Sequence, residues 1–197
     1  MTIRVVLFDV MDTLVHDPFR EALEAATGRP LREVMAARDP GAYPRFERGA
    51  ITEAEYWAHY TDAGFVVDVA AFHDARRSGY RWIDGMRELL DDLAGVVRRV
   101  GATNYPDWVT ELADGMLSGY LDEVVASYEV GARKPEPEFY TRVLEFAGAA
   151  AHEVFFVDDR EVNVEGAREA GIAAHHFTDV AKLRADLDRH LAAARPD

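Results

Sequence analysis

Four small polar groups in this chain of 197 residues each stand just behind a short apolar run. Asp9, Asp12 and Thr13 follow IRVVLF; Thr103 and Asn104 follow VVRRVGA; Lys134 comes shortly after EVVAS; Asp158 and Asp159 follow VFFV. One aspartate behind a strand is often only a turn former or a helix cap. Four groups at the same end of successive strands read better as one site. Brought together, Asp9, Asp158 and Asp159, with Asp12 nearby, carry too many like charges to stay ionised unless a cation lies among them, and Lys134 is the clearest opposing charge. A hard divalent ion suits such oxygen ligands, and Mg²⁺ also keeps waters and shares itself with a substrate phosphate. Thr103 and Lys134, with backbone N–H groups at a helix start, would hold phosphoryl oxygens. Asp9 then reads as a nucleophile that forms an aspartyl-phosphate.

These positions require strands that end side by side. Residues 3–8, 96–102, 123–127, 154–157 and 172–177 have strand length and are dense in β-branched or aromatic side chains. Helical stripes lie between them: Met86, Leu89, Leu90 and Leu93; Val109, Leu112 and Met116; Phe139, Val143 and Phe146; Val180, Leu183, Leu187 and Leu191. Strands alternating with helices predict an α/β fold, a doubly wound, Rossmann-like parallel sheet of about five strands. Pro135 is expected in the first turn of the helix after Lys134. Residues 16–82 break the rhythm, with helical candidates at 18–27, 31–37, 52–60 and 69–78 and loops at 28–30 and 39–43. Thr52 and Glu55 are spaced as a capping box. The expected division is a core of residues 1–15 and 83–197 and a helical cap of residues 16–82, hinged near 15–16 and 81–84. An insertion after the first strand lands at the ligand-binding edge of such a sheet, so the cap reads as a lid. Phe19, Arg20, Arg45, Trp57, Tyr60, Arg76 and Arg77 are its candidate pocket residues.

Acidic residues outnumber basic ones by 36 to 22, a formal charge of −14 that repels nucleic-acid backbones and anionic lipid. No apolar stretch reaches the roughly 18 residues of a membrane helix, and MTIRVVLFD is too short an apolar run for a signal peptide. The chain has no cysteine, which excludes thiolate catalysis and a disulfide framework. The seven histidines show no zinc-ligand spacing and there is no G-x-x-x-x-G-K-[ST] loop. The expected protein is cytoplasmic, a monomer or homodimer, with a small phosphorylated metabolite as its partner and neither nucleic acid nor membrane.

Taken in order, the motifs resemble those of the haloacid dehalogenase (HAD) superfamily. FDVMDTLV (8–15) looks like its hhhDxDxT motif, GATN (101–104) like its second, GARKPEPEFY (131–140) like its third, and FVDDREVNVEGAREAG (156–171) like its fourth in the DDxxxN form. RFERGAITEAEYW (45–57) is similar to segments of the helical cap found between the first two motifs. The resemblance implies a HAD core with a cap, Mg²⁺ as cofactor, and Asp9 as nucleophile and metal ligand. It implies that Met11 offers the metal its backbone carbonyl and that Asp159 is the metal-binding acid. Thr103, Asn104 and Lys134 would bind substrate, with Thr103 and Lys134 also catalytic. Asp158 would lie in the outer shell, and Asn163 either beside it or as a polar contact within its helix.

One residue departs from the pattern. Phosphatases of the superfamily usually carry an aspartate two positions after the nucleophile as acid and base; here it is Met11, and Asp12 stands where the family usually has glycine. A positioned acid or base contributes roughly 10²- to 10⁴-fold. The expected activity is therefore a phosphatase slow on poor leaving groups. The superfamily's dehalogenases also lack that aspartate, but they lack a metal-binding aspartate as well. A haloacid dehalogenase, or a catalytically weak relative that binds a phosphorylated ligand or a partner, is the alternative.

Overall fold

The VVLF of β1 (Val5–Phe8) is buried at every position, as a strand covered by helices on both faces must be. In the computed structural model, which describes residues 2–192, β1 pairs in parallel with β2 (Arg98–Thr103) on one side and β4 (Val154–Asp158) on the other. β3 (Glu123–Ala126) extends the sheet beyond β2 and β5 (Ala173–His176) beyond β4, giving the order β3-β2-β1-β4-β5. Phe8 lies level with both Gly101 and Val157, so β1 and its two neighbours reach the same edge of the sheet within two residues of one another. The chain steps outward from β1 to β3 and then crosses back to β4. That reversal beside β1 is the point at which such sheets bind ligands.

Two helical layers cover the sheet. On one face α6 (Met86–Leu93) and α11 (Val180–Ala192) set Leu89, Leu90, Leu93, Leu183 and Leu187 against Val6, Phe8, Phe155 and Val157. On the other, α9 (Pro137–Ala147) and α10 (Glu161–Glu169) press Phe139, Tyr140, Val143 and Ala167 onto Val5, Leu7, Val100 and Phe156. Two short helices, α7 (Val109–Asp114) and α8 (Ser127–Val130), come after β2 and β3. Between β1 and β2 the insertion folds as α1 (Phe19–Thr27), α2 (Leu31–Ala37), α3 (Ala42–Glu47), α4 (Glu53–Asp62) and α5 (Val69–Gly79). Its aromatic centre of Phe19, Tyr56, Trp57, Tyr60 and Phe72 includes Tyr105 and Trp108, which come after β2. The insertion is thus docked on the sheet's ligand edge by shared apolar burial. No helix among the described residues is long and apolar enough to cross a membrane.

Several expected boundaries shift for physical reasons. β2 starts at Arg98 rather than 96, because Gly95 turns the chain at φ 73° and leaves Val96 exposed. It runs on to Thr103, which pairs with Ala126. Ser127 leaves β3 to open α8, its hydroxyl donating to the carbonyls of Glu47 and Tyr105. Pro137, not Pro135, occupies the first turn of α9, and Ala147 replaces Phe146 on its inward face, Phe146 being 45% exposed. The expected loop at 39–43 runs into α3: Asp39 accepts from Gly41 N–H at 2.8 Å, a turn that leads into the helix. The Thr52–Glu55 capping box forms, with Glu55 accepting from Thr52 N–H at 2.7 Å.

The two strands that join insertion and sheet pair with each other. His16 N–H donates to Arg81 at 2.9 Å and Ile83 N–H to Leu14 at 2.9 Å, around an antiparallel bridge between Val15 and Trp82. Beside this ladder Gly79 lies so close to the rigid ring of Pro18 that no Cβ fits. Gly79→Ala should therefore cost about 1–3 kcal/mol, the usual range for overpacking. Urea titration against wild type measures it; an unchanged midpoint would show that the crossing is loose.

Candidate active site

Asp9 leaves β1 with its N–H donating to Val157 at 2.8 Å, which fixes its carboxyl at the sheet's edge. The next residues turn tightly, Leu14 and Val15 both donating to the carbonyl of Val10 at 2.9 and 3.0 Å. Asp12 takes the left-handed conformation there, φ 57°, which explains why glycine is usual at this position of the motif. Its carboxylate accepts from Asp17 N–H at 3.0 Å. Met11 makes no hydrogen bond through its carbonyl among the described residues.

Lys134 is the centre of the arrangement. Its ammonium, 1% exposed, donates to Asp9 Oδ1 at 2.6 Å, Asp158 Oδ2 at 2.7 Å and the carbonyl of Ala102 at 2.8 Å, using all three of its N–H groups. Asn104 holds the lysine's backbone from both sides. Its Nδ2 donates to Lys134 O at 2.9 Å and its Oδ1 accepts from Lys134 N–H at 2.8 Å. Expected as a substrate ligand, Asn104 thus has both ends of its amide engaged in joining the loops after β2 and β3. Asp158 is wholly buried and accepts from Asn163 Nδ2 at 2.9 and 3.1 Å and from Arg160 N–H at 2.8 Å. Asn163 is itself fixed by Tyr140, whose hydroxyl donates to its carbonyl at 2.6 Å.

Several polar groups at the site have no hydrogen-bond partner among the described residues, the buried Asn163 Oδ1 among them. The Thr103 hydroxyl, at the end of β2, is buried and unpaired. The half-buried Asp159 carboxylate makes no hydrogen bond among the described residues, although His176 supports its backbone by bonding Asp159 O at 2.9 Å. Asp9, Asp158 and Asp159 each bring a carboxylate oxygen within 4.8 Å of the others. Burial pushes the Asp9 carboxyl up to about 8; Lys134 opposes this, and Asp158 and Asp159 add to it. Burial also raises Asp159, helped by Asp158 and Asp12. With all three ionised, the carboxylates and one ammonium leave two negative charges, so a hard divalent cation, which fits this all-oxygen donor set, would favour the ionised forms.

The cluster opens into a cavity of about 840 Å³ between the sheet's edge and the insertion. Of the cap residues singled out in the sequence, Phe19 and Arg20 line it. The others do not: Trp57 and Tyr60 belong to the aromatic centre, Arg45 pairs with Asp39 at 2.7 Å, and Arg76 and Arg77 bind Glu111 at 2.5 and 2.8 Å. Sequence reasoning missed Asp17, Tyr43, Glu47 and Arg133, all of which line the cavity. Arg133 stands next to Lys134 and bonds Glu47 across the cleft at 2.8 Å; that adjacency was its only signal. The histidine pair is structural, His175 bonding Asp186 at 2.8 Å.

The haloacid dehalogenase-like hydrolase family matches residues 3–171 of the chain. A flavin mononucleotide hydrolase of Arabidopsis thaliana is 38% identical over 185 residues, which cover 93% of this chain and 76% of that protein. Among solved structures, a HAD-family enzyme of Bacteroides thetaiotaomicron in complex with magnesium and inorganic phosphate is similar with a TM-score of 0.76 and 25% identity, over 92% of this chain and 98% of that one. The L-2-haloacid dehalogenase of Xanthobacter autotrophicus shares the fold, with a TM-score of 0.67 at 20% identity over 99% of this chain and 85% of that one.

Two outcomes are expected of this geometry. Lys134→Met leaves Asp9 and Asp158 buried without a counter-charge, which costs about 3–5 kcal/mol near neutral pH. Burial holds the Asp9 carboxyl above its unfolded value in the folded state, so its share of the penalty applies at high pH and fades as acid protonates it. Urea titrations should show a larger deficit at about pH 8 than at about pH 5; equal deficits would contradict the charge argument. Mg²⁺ should raise the thermal midpoint of wild type, by an amount equivalent to about 2.7 kcal/mol at a hundredfold excess over Kd. Asp159→Asn should remove most of that rise, and an undiminished rise would place the ion elsewhere.

Proposed function

Because the chain belongs to the haloacid dehalogenase-like hydrolases, we propose that it hydrolyses small phosphate monoesters with Mg²⁺ through an aspartyl-phosphate on Asp9. The observation that carries this reading is the Asp159 carboxylate, beside Asp9 and without a hydrogen-bond partner among the described residues. A site that attacks carbon without a metal has no work for that second negative charge, whereas a phosphatase needs it to hold a cation.

Asp9 Oδ1 is held by Lys134, which leaves Oδ2 to attack phosphorus as the bond to the leaving oxygen breaks. Thr103 donates its unpaired hydroxyl to a phosphoryl oxygen. Lys134 keeps Asp9 in place and balances its charge, and Asn104, Asp158 and Asn163 keep Lys134 in place. Asp9, Asp159 and the Met11 carbonyl would hold Mg²⁺, which when bound neutralises phosphoryl charge. Water then attacks the phosphorus of the aspartyl-phosphate, releasing phosphate and restoring Asp9.

The cap, residues 16–82, would seat the leaving group and exclude water, turning about the ladder at Val15 and Trp82. The tilted rings of Phe19 and Tyr43, 4.8 Å apart, give the cavity an aromatic wall. With the Arabidopsis relative, this supports flavin mononucleotide as the first metabolite to test. We propose a cytoplasmic location, which a chain without cysteine fits. The dehalogenase reading rests on Met11, which cannot move a proton.

The test is hydrolysis of 4-nitrophenyl phosphate and flavin mononucleotide with Mg²⁺, with EDTA and with Asp9→Asn. Both EDTA and the substitution should lower 4-nitrophenyl phosphate turnover by about 10³-fold or more, the scale of losing a covalent nucleophile. No turnover above the Asp9→Asn background, with metal-independent halide release from a 2-haloacid, would overturn the proposal in favour of the dehalogenase.

A further inference from the structure

A phosphate ester with a poor leaving group needs a proton on its leaving oxygen as the bond to phosphorus breaks, and the thioether of Met11 has none to give. The segment behind Asp9 holds two other carboxyls, Asp12 and Asp17. Asp12 is committed, its left-handed backbone placing Oδ1 on Asp17 N–H at 3.0 Å. Asp17 is differently placed. It lines the same cavity as Asp9, Thr103 and Lys134, at the point where the chain enters the cap. Its Oδ1 accepts from Phe19 N–H at 3.0 Å, which fixes the carboxyl plane, and its Oδ2 has no hydrogen-bond partner among the described residues. It is half-buried and makes no ion pair among those residues.

We propose that Asp17 is the proton-transfer residue of the phosphatase reaction, a role that rests on the reading under Proposed function and that Asp17 fills from the cap hinge because Met11 cannot fill it beside the nucleophile. In the first half, Asp9 Oδ2 bonds to phosphorus, the bond from phosphorus to the leaving oxygen breaks, and that oxygen takes the proton of Asp17. In the second half, Asp17, now a carboxylate, takes a proton from water as its oxygen attacks phosphorus. Inorganic phosphate departs, Asp9 is a carboxylate again and Asp17 is again protonated. The environment suits the role. Asp17 faces Asp12 of its own segment, Arg20 and Glu21 of α1, Tyr43 of α3, and the phenols of Tyr80 and Tyr105, which bond each other at 2.8 Å. Burial pushes its carboxyl up to about 6; Phe19 N–H and Arg20 oppose this, and Asp12 and Glu21 add to it.

The test varies the leaving group at constant shape. Asp17→Asn should lower kcat/KM, which reports the steps up to loss of the leaving group, by about 10²-fold or more on phenyl phosphate, yet by less than about threefold on 2,4-dinitrophenyl phosphate, whose leaving group needs no proton. Equal losses on both esters, or no loss on phenyl phosphate, would overturn the proposal. Should Asp17→Asn not fold, wild type decides: the phenyl-to-dinitrophenyl ratio of kcat/KM should fall about tenfold or more from pH 5 to pH 8 as Asp17 loses its proton. A constant ratio would overturn it. Asp9→Asn on the dinitrophenyl ester separates the two claims: if that rate does not fall, the phosphatase reading fails and this proposal with it, whereas a large fall with equal Asp17→Asn losses removes Asp17 alone.

Discussion

A buried ammonium shared by two carboxylates holds this site together. Burial would pull the Lys134 pKa down, yet Asp158 and Asp9 more than offset it and hold the group above its ordinary value. The contact reaches three parts of the sheet at once. Asp9 comes directly after β1, the Ala102 carbonyl lies in β2, and Asp158 ends β4, while Lys134 itself comes from the loop beyond β3. Each of these four strands thus contributes to one charged node, and any shift in their register would leave a charge buried and unpaired. Such a loss costs several kcal/mol, so the node constrains the geometry of the sheet's edge as strongly as the apolar core beneath it.

The node also sorts the aspartates. Asp158 spends its oxygens on Lys134, Asn163 and Arg160 N–H. Asp9 gives one oxygen to Lys134 and keeps the other, whose nearest donor is Thr13 at 3.4 Å, a weak contact. Asp159 gives none. Three residues of one chemical type thus have different capacities, set by what already binds them. The same principle operates across the cleft, where Glu47 from the insertion pairs with Arg133, the neighbour of Lys134, and Arg48 pairs with Glu136. On the far side Arg76 and Arg77 converge on Glu111, with Arg76 lying over the ring of Trp108. The insertion is therefore anchored at two places on the sheet's edge, with the cavity walled by α1 to α3.

Much of this was legible in the sequence because it lies in local patterns. Each strand is a short apolar run ending in a polar residue, and the spacing of Leu89, Leu90 and Leu93 shows which side of α6 faces inward. Asp9, Thr103 and Asp158 could be found by asking which polar residue stands at the end of each strand, and Lys134 by asking which lysine first follows β3. The cap resisted the same treatment. Its arginines and aromatics have helical spacing whether they face a ligand or a neighbouring helix, so Trp57 and Arg76 could not be told apart from Arg20. Tyr43 lies in DPGAY, which has turn composition but runs into α3 once Asp39 closes on Gly41. The bidentate grip of Asn104 on Lys134 joins residues 30 apart and leaves no periodic trace.

The Met11 position shows how far the parts of such a site can separate. A metal ligand supplied by a backbone carbonyl tolerates any side chain, so methionine at position 11 would leave intact the donor set proposed for the ion, Asp9, Asp159 and the residue 11 carbonyl, while offering no proton. Asp12 compounds the change. As a non-glycine residue at φ 57° it strains the turn, and its short polar side chain is of the kind that tolerates this conformation by bonding locally, here to Asp17 N–H. That bond draws the chain behind Asp9 into a closed loop, and the next carboxyl, Asp17, lines the cavity. The methionine at position 11 and the proton-transfer role proposed for Asp17 are thus linked through a single residue, Asp12, whose own carboxylate is engaged in making the link.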